Sequence, residues 1–585
     1  MWPDLKDNET ELKRNVNFEK RIRIAKSIAV VGIGENSGKL VSDFLYIFGN
    51  ILCIGDRIEL HDGLSLPDSK HDYYICCAYD RAQAADIMET AGLKYGDDYL
   101  MAEDCFFLLD DLKGSRIAFM AYPGDAKGWI KVLIFGYAAK HGRVTPRDRY
   151  KDILRGHYSN NNGNRYGRHL ERNNKTFGRK LVYASYLLLG CIESIPQLFA
   201  GKMLNEKYDH ICFDSAADAI RYKKDYPSAA GKVITVETLR AHTMASLYMK
   251  AVYFDRRQNG CGCDTPLNTL WIGEHGTTRL CGCPDFLDIS CGNLGVTECG
   301  QIWDSPLARI MRLSVVNNTY TFCSRELCRK FNANKDGEAL LERKADEPVN
   351  SFPDIIKAAN DYVCNLHCPS CRKRILTKND NNVETEISAC TQALLESGWL
   401  DKADKLVVGA SGETFLSKNY RRLLYDGIVK RNSIYIMTNG TLFTPDEWKK
   451  LEGRYEHIGF SVSVDAATKE TYSKVRCGGN FDRLMENMEF LSGLRRENKV
   501  DEVTVNMVVQ RDNYKEIPDF IRWAKRLGFD CAYLSHIWNW GTFTDEEFEN
   551  NISMFDRTGK MKTELAAVLE DPVCKDPIVD MRWGD

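Results

Sequence analysis

The sequence predicts an α/β protein whose C-terminal side is a partial barrel of six strand–helix units. The main observation is a regular alternation of apolar strand segments and helical segments over residues 355–545. Such alternation is typical of a parallel sheet with helices outside it. Two further observations predict smaller units before the barrel: a strand, glycine turn and helix over residues 27–49, and a dense group of cysteines over residues 261–328.

The composition of the whole chain limits the classes of protein to consider. A chain of 585 residues, 44% of them hydrophobic, is too long for one ordinary core, so we expect several domains. The net charge of −3 argues against a protein built to bind nucleic acid. The polar start argues against a secretory signal. The most apolar segment, residues 183–201, contains Glu193 and Pro196, so we expect a buried helix there and no membrane span.

Cysteine usage indicates metal or redox chemistry. The chain has 21 cysteines, and without an export signal we expect a cytoplasmic protein whose thiols stay reduced. Eight cysteines lie between Cys261 and Cys328, and three more form a closely spaced motif at Cys364, Cys368 and Cys371. The remaining ten are scattered, and we interpret each of them as a small buried hydrophobic residue.

The sequence of the first part of the chain predicts an α/β unit of the kind that often binds nucleotides. An apolar run leads into Gly32, Gly34 and Gly38 and then into a helix, and a second strand over residues 73–80 is also followed by a helix. Two such units predict a small Rossmann-like α/β domain. The spacing G-x-G-x-x-x-G departs from the dinucleotide pattern, so both a phosphate site at the helix N-terminus and a purely structural turn remain open.

Residues 140–180 are the most basic part of the chain. The segment has nine more Lys and Arg residues than Asp and Glu residues, around a loop-like "NNNGN". One interpretation is a groove for an anionic substrate such as a sugar nucleotide or a phospholipid, and the other is a solvated surface loop. We expect the following residues, to about 250, to be a helical connector.

Thiols from a hairpin and a later loop suit either zinc or an iron–sulfur cluster. The pairs Cys261/Cys263 and Cys281/Cys283 stand on either side of a predicted turn, and the pair Cys323/Cys328 follows a predicted helix. Zinc sites usually show C-x2-C pairs, whereas these spacings are C-x-C, C-x-C and C-x4-C. The spacing makes a zinc site less favoured but does not exclude one.

The run "CGNLGVTECGQIWDSPLARIMRLSVVNNTYTFC" resembles the SPASM/twitch auxiliary-cluster domains of radical SAM enzymes. The positions that carry the resemblance are Gly292, Asn293, Trp303, Ser305, Arg312 and Ser314. The resemblance implies an auxiliary 4Fe–4S cluster. Its expected ligands are Cys263, Cys281, Cys323 and Cys328, with Cys261 and Cys283 as substitutes. The position along the chain differs, because these domains normally follow the catalytic core and this one precedes it.

The motif C-x3-C-x2-C at Cys364, Cys368 and Cys371 supplies three thiols, one fewer than a closed tetrahedral site requires. It follows a predicted strand, as do the segments "GASGE", "TNG" and "SVSVD" further along the chain. In parallel sheets the reactive groups gather at the C-terminal ends of the strands. By itself the triplet could be half of a zinc site.

Residues 355–545 resemble the core of the radical S-adenosylmethionine (SAM) superfamily, of which C-x3-C-x2-C is the signature. The resemblance implies that Cys364, Cys368 and Cys371 bind three irons of a 4Fe–4S cluster and that SAM chelates the fourth iron. One electron from the cluster would then cleave SAM to methionine and a 5′-deoxyadenosyl radical, which abstracts a hydrogen atom from a substrate.

The same resemblance assigns residues to SAM binding. Ser411, Gly412 and Glu413 stand in the place of the family's "GGE" motif, and Glu413 would accept hydrogen bonds from the SAM ammonium group. Polar residues at other strand ends would contact the ribose or line the cavity: Asn439, Ser463, Asp465 and Asn506. Ser370 stands where an aromatic residue is usual, which leaves the adenine contact open.

These observations combine into one expected organisation. The expected parts are a Rossmann-like domain at 1–130, a basic and helical connector at 131–255, a cysteine-rich α+β SPASM-like domain at 256–335, a partial (β/α)6 radical SAM barrel at 350–550 and a helical tail at 551–585.

We expect an oxygen-sensitive enzyme that draws electrons from a donor of the flavodoxin or ferredoxin type. The basic segment favours a carbohydrate, nucleotide sugar or other small molecule in a biosynthetic tailoring pathway as substrate. The alternatives are a radical SAM/SPASM maturase that modifies a peptide or protein, and a zinc protein without catalytic activity.

Overall fold

A computed structural model describes most of the chain. The described stretches are residues 27–33, 37–48, 58–62, 71–78, 81–109, 117–120, 209–213, 215–255, 261–282, 290–323, 349–426, 431–539, 541–556 and 559–581, together with residues 22, 25, 257, 328, 330–331 and 340–342. Two sequence predictions fall outside them: the basic segment 140–180 and the apolar segment 183–201.

The N-terminal part contains a four-stranded parallel sheet with strand order β2-β1-β3-β4. The strands are β1 (Ile28–Ile33), β2 (Ile58–Asp62), β3 (Tyr73–Ala78) and β4 (Tyr99–Met101). The helices are α1 (Ser37–Phe48) and α2 (Arg81–Thr90), followed by a 3-10 helix (Ala102–Leu109). Strands β1 and β3 are buried along their whole length, as expected for a parallel sheet covered on both faces. Gly34 of the glycine turn lies outside the described residues.

A second, three-stranded parallel sheet has the order β5-β6-β7. Its strands are β5 (Ile117–Met120), β6 (His210–Phe213) and β7 (Val233–Thr235). The helices of this part are α3 (Ala216–Asp225) and α4 (Val236–Tyr253), with a 3-10 helix (Pro227–Lys232) between them. Ser215 and Thr235 cap the two helices, since each side chain accepts a hydrogen bond from a backbone N–H in the first turn.

The largest sheet has ten strands in the order β10-β9-β8-β11-β12-β13-β14-β15-β16-β17. The first three strands are β8 (Thr269–Ile272), β9 (Thr277–Arg279) and β10 (Gly292–Asn293). The others are β11 (Ile355–Ala358), β12 (Lys405–Val408), β13 (Arg431–Thr438), β14 (Tyr455–Ser463), β15 (Glu502–Val509), β16 (Cys531–His536) and β17 (Val579–Met581). All pairings from β8 through β11 to β17 are parallel, and β9 and β10 are antiparallel additions at one edge.

Helices follow the strands of this sheet in regular alternation. Three lie before β11 in the chain: α5 (Thr265–Asn268), which directly precedes β8, and α6 (Cys299–Trp303) and α7 (Pro306–Val316), which follow β10. The others are α8 (Asn381–Glu396), α9 (Lys418–Tyr425), α10 (Pro445–Leu451), α11 (Lys469–Val475), α12 (Phe481–Arg496), α13 (Ile517–Arg526), α14 (Asp545–Glu547) and α15 (Thr563–Leu569). A π-helical turn (Phe548–Ile552) and 3-10 turns (Glu274–Gly276, Tyr514–Glu516, Pro572–Lys575) complete the elements.

Side-chain caps explain where the helices that follow β11 to β14 begin. Asp380, Ser417, Thr444, Thr468 and Asn480 each accept a hydrogen bond from a backbone N–H in the first turn of the next helix. Such caps satisfy donors that have no partner inside the helix, and each contributes about 1 kcal/mol. The alternation of six parallel strands, β11 to β16, with capped helices agrees with the predicted strand–helix repeat.

The cysteine-rich region joins the large sheet rather than packing beside it. Strand β8 pairs in parallel with β11 along its whole length, from Thr269 opposite Ile355 to Ile272 opposite Ala358. The backbone N–H of Ala359 extends the pairing by donating to the carbonyl of Ile272. The C-terminal end of β8 therefore lies at the same edge as the loop that carries the cysteine triplet.

A buried polar contact connects the N-terminal unit to this region, beside a shared hydrophobic core. Asp43 of α1 is completely buried, and its Oδ2 atom accepts hydrogen bonds from Lys39 and from Asn317 at the end of α7, both at 2.9 Å. Burial raises the pKa of Asp43 even though Lys39 opposes the shift. Among the helices of the described residues, none is long and apolar enough to cross a membrane.

Candidate active site at the strand ends

The loop after β11 holds the three thiols of the C-x3-C-x2-C motif. Two backbone hydrogen bonds between Cys364 and Leu376 close the loop at its base. Backbone N–H groups of Cys371 and Arg372 donate to the carbonyl of Cys368 and form a tight turn, at 2.9 and 3.0 Å. Cys364 and Cys368 are 9% and 7% exposed, whereas Cys371 is an exposed residue.

Each of the three thiols lies next to a nitrogen donor. Cys364 Sγ is 3.4 Å from the backbone N–H of Leu366 and 3.8 Å from the amide nitrogen of Asn439. The guanidinium of Arg476 is 3.7 Å from Cys368 Sγ.

The third thiol has the closest guanidinium contacts. Arg372 Nε is 3.4 Å from Cys371 Sγ, and Arg372 Nη2 is 3.5 Å from it. Donors around sulfur stabilise thiolates, the form that binds iron, and tune a cluster held by them. The residues present therefore fit an iron–sulfur cluster with three protein ligands.

Burial changes the pKa of the buried thiols when no iron is bound. It raises the pKa of Cys364 and of Cys368, and the nearby arginines, Arg372 and Arg476 respectively, oppose the shift. The positive charges are thus placed where a thiolate would otherwise be costly to bury.

Ser411 and Gly412, which follow β12, allow this loop to lie close to the cysteine loop. A Cβ atom on Gly412 would lie 2.5 Å from the carbonyl oxygen of Asp361 and 2.6 Å from that of Val363. Only glycine fits at that separation. Arg372 also connects the two loops, because its guanidinium donates to the carbonyl of Ser411 at 3.1 Å and to the carbonyl of Tyr362.

Glu413 is completely buried, and its carboxylate accepts three hydrogen bonds from the protein. Oε1 accepts from the hydroxyl of Thr438 at 2.7 Å and from the backbone N–H of Phe415 at 3.2 Å, and Oε2 accepts from the backbone N–H of Asn439 at 2.7 Å. Burial raises the pKa of Glu413, and these hydrogen bonds oppose the shift. Glu413 joins the ends of β12 and β13, and its contact with SAM stays a prediction.

Asn439, directly after β13, is also bonded to the protein. Its amide nitrogen donates to Asn365 Oδ1 at 3.0 Å, and its Oδ1 accepts from the backbone N–H and the hydroxyl of Thr441. Asn439 therefore anchors the cysteine loop to the end of β13. A role in binding SAM stays a prediction for this residue as well.

The end of β14 carries a buried ion pair. Asp465 is 4% exposed and has a left-handed φ of 63°. Its Oδ2 is 2.8 Å from Arg476 Nη2, and its Oδ1 accepts from the backbone N–H of Val508 at 2.8 Å. Burial raises the pKa of Asp465, and Arg476 opposes the shift. Arg476 thus connects Asp465 to Cys368.

Ser463 and Asn506 lie opposite each other in the register of β14 and β15, and both are half-buried. The amide of Asn506 donates to the hydroxyl of Ser461 at 2.7 Å and to the carbonyl of Val462 at 3.1 Å. Except for Asn506, which lies within β15, the predicted SAM-binding positions lie at or just after the C-terminal ends of β12, β13 and β14. Their individual contacts with SAM stay predictions.

Two arginines of the site are absent from the sequence prediction. Arg372 directly follows the third cysteine, and Arg476 lies eleven residues after Asp465, at the end of α11. The signal for Arg372 was its place beside the motif. Arg476 had no local signal, because only the fold brings the end of α11 beside the cysteine loop, where the N–H of His367 donates to the carbonyl of Cys477.

The cysteine-rich region forms a separate pocket away from the motif loop. Its walls are Cys261, Cys263, Cys281, Cys323 and Cys328 together with Pro266, Val315 and Tyr320. The pocket is partly open to solvent. The pocket collects all four of the predicted ligands and the substitute Cys261; the other substitute, Cys283, lies outside the described residues.

The thiols of this pocket interact mainly with one another. Hydrogen bonding to Cys261 lowers the pKa of Cys263 and of Cys328 to about 6, and the pKa of Cys261 rises in return. Cys263 Sγ also donates to the hydroxyl of Thr265 at 3.3 Å, and the backbone N–H of Cys263 donates to the hydroxyl of Tyr320 at 2.9 Å.

The motif residues of the SPASM-like run hold together the elements around the pocket. Arg312 is 1% exposed, stacks 3.9 Å from the Trp303 ring and donates to the carbonyls of Pro266 and Trp303. It connects α7 to the hairpin of cysteines. The carbonyl of Ser314 accepts the N–H groups of Thr319 and Tyr320, which directs the chain back toward Cys323.

The remaining motif residues stabilise the turns around the cysteine pocket. Ser305 caps α7, and Asn293 donates to the carbonyl of His275. A Cβ atom on Gly292 would lie 2.8 Å from Ile302. Within the described part of the chain, no group of three or more His, Cys, Asp or Glu side chains converges closely enough to hold a single metal ion. The ligand sets of both sites therefore stay predictions.

Comparison with known proteins identifies the domain. Residues 362–524 match the model of the Radical SAM superfamily. A tungsten-containing aldehyde ferredoxin oxidoreductase cofactor-modifying protein of Pyrococcus furiosus is 22% identical over 177 residues, which are 30% of this chain and 49% of that protein. The mycofactocin maturase MftC of Mycobacterium tuberculosis is 23% identical over 189 residues, 32% of this chain and 44% of the maturase.

Among solved structures, Streptococcus suis SuiB bound to the precursor peptide SuiA is similar at 12% identity with a TM-score of 0.27, over 39% of this chain and 49% of SuiB. The chain spans about half the length of the curated relatives that it matches. The superfamily match agrees with the prediction from the cysteine triplet and the strand ends, and a radical SAM domain uses a 4Fe–4S cluster and SAM.

Proposed function

We propose that this member of the radical SAM superfamily is an enzyme that cleaves SAM reductively and abstracts a hydrogen atom from a substrate. The observation that carries the proposal is the placement of three thiols at one strand edge, each beside a nitrogen donor. Cys364, Cys368 and Cys371 would hold the cluster. When bound, the cluster and SAM supply a 5′-deoxyadenosyl radical.

The residues of the chain have three tasks in this proposal. Arg372 and Arg476 offset the negative charge of the thiolates, because both guanidinium groups contact sulfur and are withdrawn from solvent. Glu413 and Asn439 hold the strand ends and the cysteine loop in one arrangement. Ser411, Gly412, Ser463 and Asn506 stand at the same edge, where they would contact SAM.

For the substrate, we favour maturation of a peptide or cofactor over tailoring of a carbohydrate. The names of the two curated relatives, a maturase and a cofactor-modifying protein, support this choice. The small-molecule hypothesis drew on the basic segment 140–180, which lies outside the described residues. A short precursor-peptide gene beside the gene for this chain would support maturation, and neighbouring glycosyltransferase genes would contradict it.

We also propose that the cysteine pocket holds an auxiliary 4Fe–4S cluster. Five thiols line one pocket, and a cluster with four protein ligands needs only four of them. Cys263 and Cys328 are the strongest ligand candidates, because their lowered pKa favours the thiolate that binds iron. An auxiliary cluster would accept or relay an electron from a substrate radical.

The test of the catalytic site is anaerobic reconstitution followed by measurement of 5′-deoxyadenosine. The wild-type protein with SAM and a reductant is expected to form 5′-deoxyadenosine, and Cys368→Ala is expected to form none. The matched control is Cys477→Ala, because Cys477 lies nearby but its thiol contacts the carbonyls of Ser473 and Lys474. Colourless protein containing tetrahedral zinc and no SAM cleavage would contradict the proposal.

A further inference from the structure

The predicted cluster is enclosed unevenly by the protein. Cys364 and Cys368 are buried, whereas Cys371 is exposed. A partner molecule in solution can therefore approach most closely at Cys371. This thiol would bind one of the three protein-held irons, so a partner at Cys371 would not occupy the iron left for SAM.

The segment that carries Cys371 is basic, and the exposed Asp380 follows it at the start of α8. Residues 362–379 contain four Lys and Arg residues and no Asp or Glu. Arg372 points inward to Cys371 and Ser411, whereas Lys373, Arg374 and Lys378 are exposed. Within the described residues, these three side chains form no ion pair with a carboxylate, unlike the exposed lysines Lys418, Lys449 and Lys469. Their charge is thus available to a partner.

A second element and one apolar side chain complete this surface. The backbone contact between His367 and Cys477 holds the last turn of α11 against the cysteine loop, and Lys474 of that turn is exposed. Ile375, between Arg374 and Leu376, is 45% exposed, which is unusual for a large aliphatic residue of this chain. An apolar centre with a charged rim is typical of a protein–protein interface. We name Lys373, Arg374, Ile375 and Lys378 the basic loop face.

We propose that the basic loop face is the docking surface for a small acidic electron-carrier protein. The inference rests on the proposed function, which requires one electron for each cleavage of SAM. The carrier, of the flavodoxin or ferredoxin class, is oxidised by one electron, and the cluster is reduced by one electron at the edge held by Cys371. Complementary charge at such an interface raises the rate of encounter rather than giving tight binding. Small interfaces of this kind are typical of redox partners.

An acidic peptide substrate is the other occupant that a basic surface could accept, and two observations favour the carrier. The face directly follows the exposed ligand of the predicted cluster in the chain, and electron transfer requires close approach to the cluster rather than to the SAM-binding iron. The predicted SAM contacts Ser411, Ser463 and Asn506 come from the loop after β12 and from β14 and β15, not from the segment 373–378.

The test compares two triple variants in the reconstituted full chain. The test variant combines Lys373→Gln, Arg374→Gln and Lys378→Gln. The control combines Lys402→Gln, Lys449→Gln and Lys450→Gln, three exposed lysines that change the net charge equally. Stopped-flow absorbance measures cluster reduction by a reduced flavodoxin and, separately, by a photoreduced deazaflavin, which needs no docking surface.

We expect the second-order rate constant with flavodoxin to fall about tenfold or more at low salt in the test variant and to stay within about twofold in the control. The wild-type rate should fall with added salt, and that dependence should weaken in the test variant. Reduction by deazaflavin should be unchanged. Equal flavodoxin rates in all three proteins would overturn the inference, as would lost binding of an acidic peptide with normal flavodoxin rates.

Two further measurements keep the inference separate from the proposed function. If the triple variant does not take up iron, the single variant Lys373→Glu and the salt dependence of the wild type test the same prediction. If the wild-type protein, reduced by deazaflavin, cleaves no SAM, the proposed function fails. If it cleaves SAM but flavodoxin reduces the test variant normally, only the docking surface fails.

Discussion

The two cysteine sites of this protein differ in how their thiols are held. In the loop after β11, three side-chain donors contact sulfur: Asn439 at the end of β13, Arg476 at the end of α11 and Arg372 of the loop itself. In the cysteine pocket, the thiols of Cys261, Cys263 and Cys328 hydrogen-bond to one another. At the first site guanidinium groups contact sulfur, whereas in the pocket Lys330 lowers the pKa of Cys263 less than the hydrogen bond to Cys261 does.

The difference teaches that cysteine spacing does not define the chemistry of a site. Positive groups near sulfur favour the addition of an electron to a bound cluster. Hydrogen bonds among thiols show only that the thiols lie close together. Burial adds to the contrast, because the loop site is exposed at Cys371 and the pocket is lined by Pro266, Val315 and Tyr320. We therefore expect the two sites to respond differently to substitution.

The largest effect is expected at the loop site. Cys368→Ala removes a buried ligand and should lower the iron content by about four per chain, since a cluster with two thiolates is not retained. All SAM cleavage should be lost with it. Iron and sulfide analysis together with 5′-deoxyadenosine measurement checks this result. Normal SAM cleavage in the variant would show that the triplet is not the reactive site.

The double variant Cys263→Ala and Cys328→Ala is expected to affect only the pocket. It should also lose about four iron per chain, while SAM cleavage in the absence of substrate continues. Turnover of the substrate should fall if the auxiliary cluster accepts its electron. An unchanged iron content of about four in both wild type and variant would mean that the pocket holds no cluster.

Arg476→Met tests the charge beside Cys368. It leaves Asp465 buried without its partner, which costs about 3–5 kcal/mol of unfolding free energy. The cluster potential should become more negative, because a positive charge near sulfur is lost. Denaturant unfolding and an EPR-monitored redox titration measure the two effects. Arg476→Met combined with Asp465→Asn should recover stability but not the potential; recovery of both would assign Arg476 to packing alone.

Glu413→Gln is expected to have a smaller effect. The amide group cannot accept all three hydrogen bonds from Thr438, Phe415 and Asn439, and one unpaired buried group costs about 1–3 kcal/mol. We also expect weaker SAM binding with the loop cluster still in place. Calorimetry and iron analysis check this pair of outcomes. The control Glu396→Gln, an exposed glutamate, should change neither quantity.

The smallest effect is expected from Thr265→Val in the pocket. It removes the hydroxyl that accepts from Cys263, at a cost of about 1 kcal/mol. The auxiliary iron should be retained, because the other thiols still converge. Denaturant unfolding and iron analysis are sufficient to check it. Loss of the auxiliary iron would mean that the hydroxyl orients Cys263 and that the mutual thiol contacts do not hold the site together.

The sequence determined the local parts of this protein. Strand–helix alternation follows from the period of apolar residues, and helix starts follow from capping residues such as Ser417 and Thr444, because both depend on neighbours in the chain. The cysteine triplet was recognised from its spacing, and Glu413 and Asn439 from the resemblance of their motifs to the radical SAM core. Their position after predicted strands placed them at one edge of the sheet.

Tertiary structure alone decided the contacts between distant parts of the chain. Pairing of β8 with β11, burial of Glu413 against Thr438 and the approach of Arg476 to Cys368 join residues that are far apart in sequence. No local pattern encodes such contacts, because they form only when several elements pack together and exclude water. Packing therefore decides which charges face the sulfur atoms, whereas the sequence decides that the sulfur atoms are there.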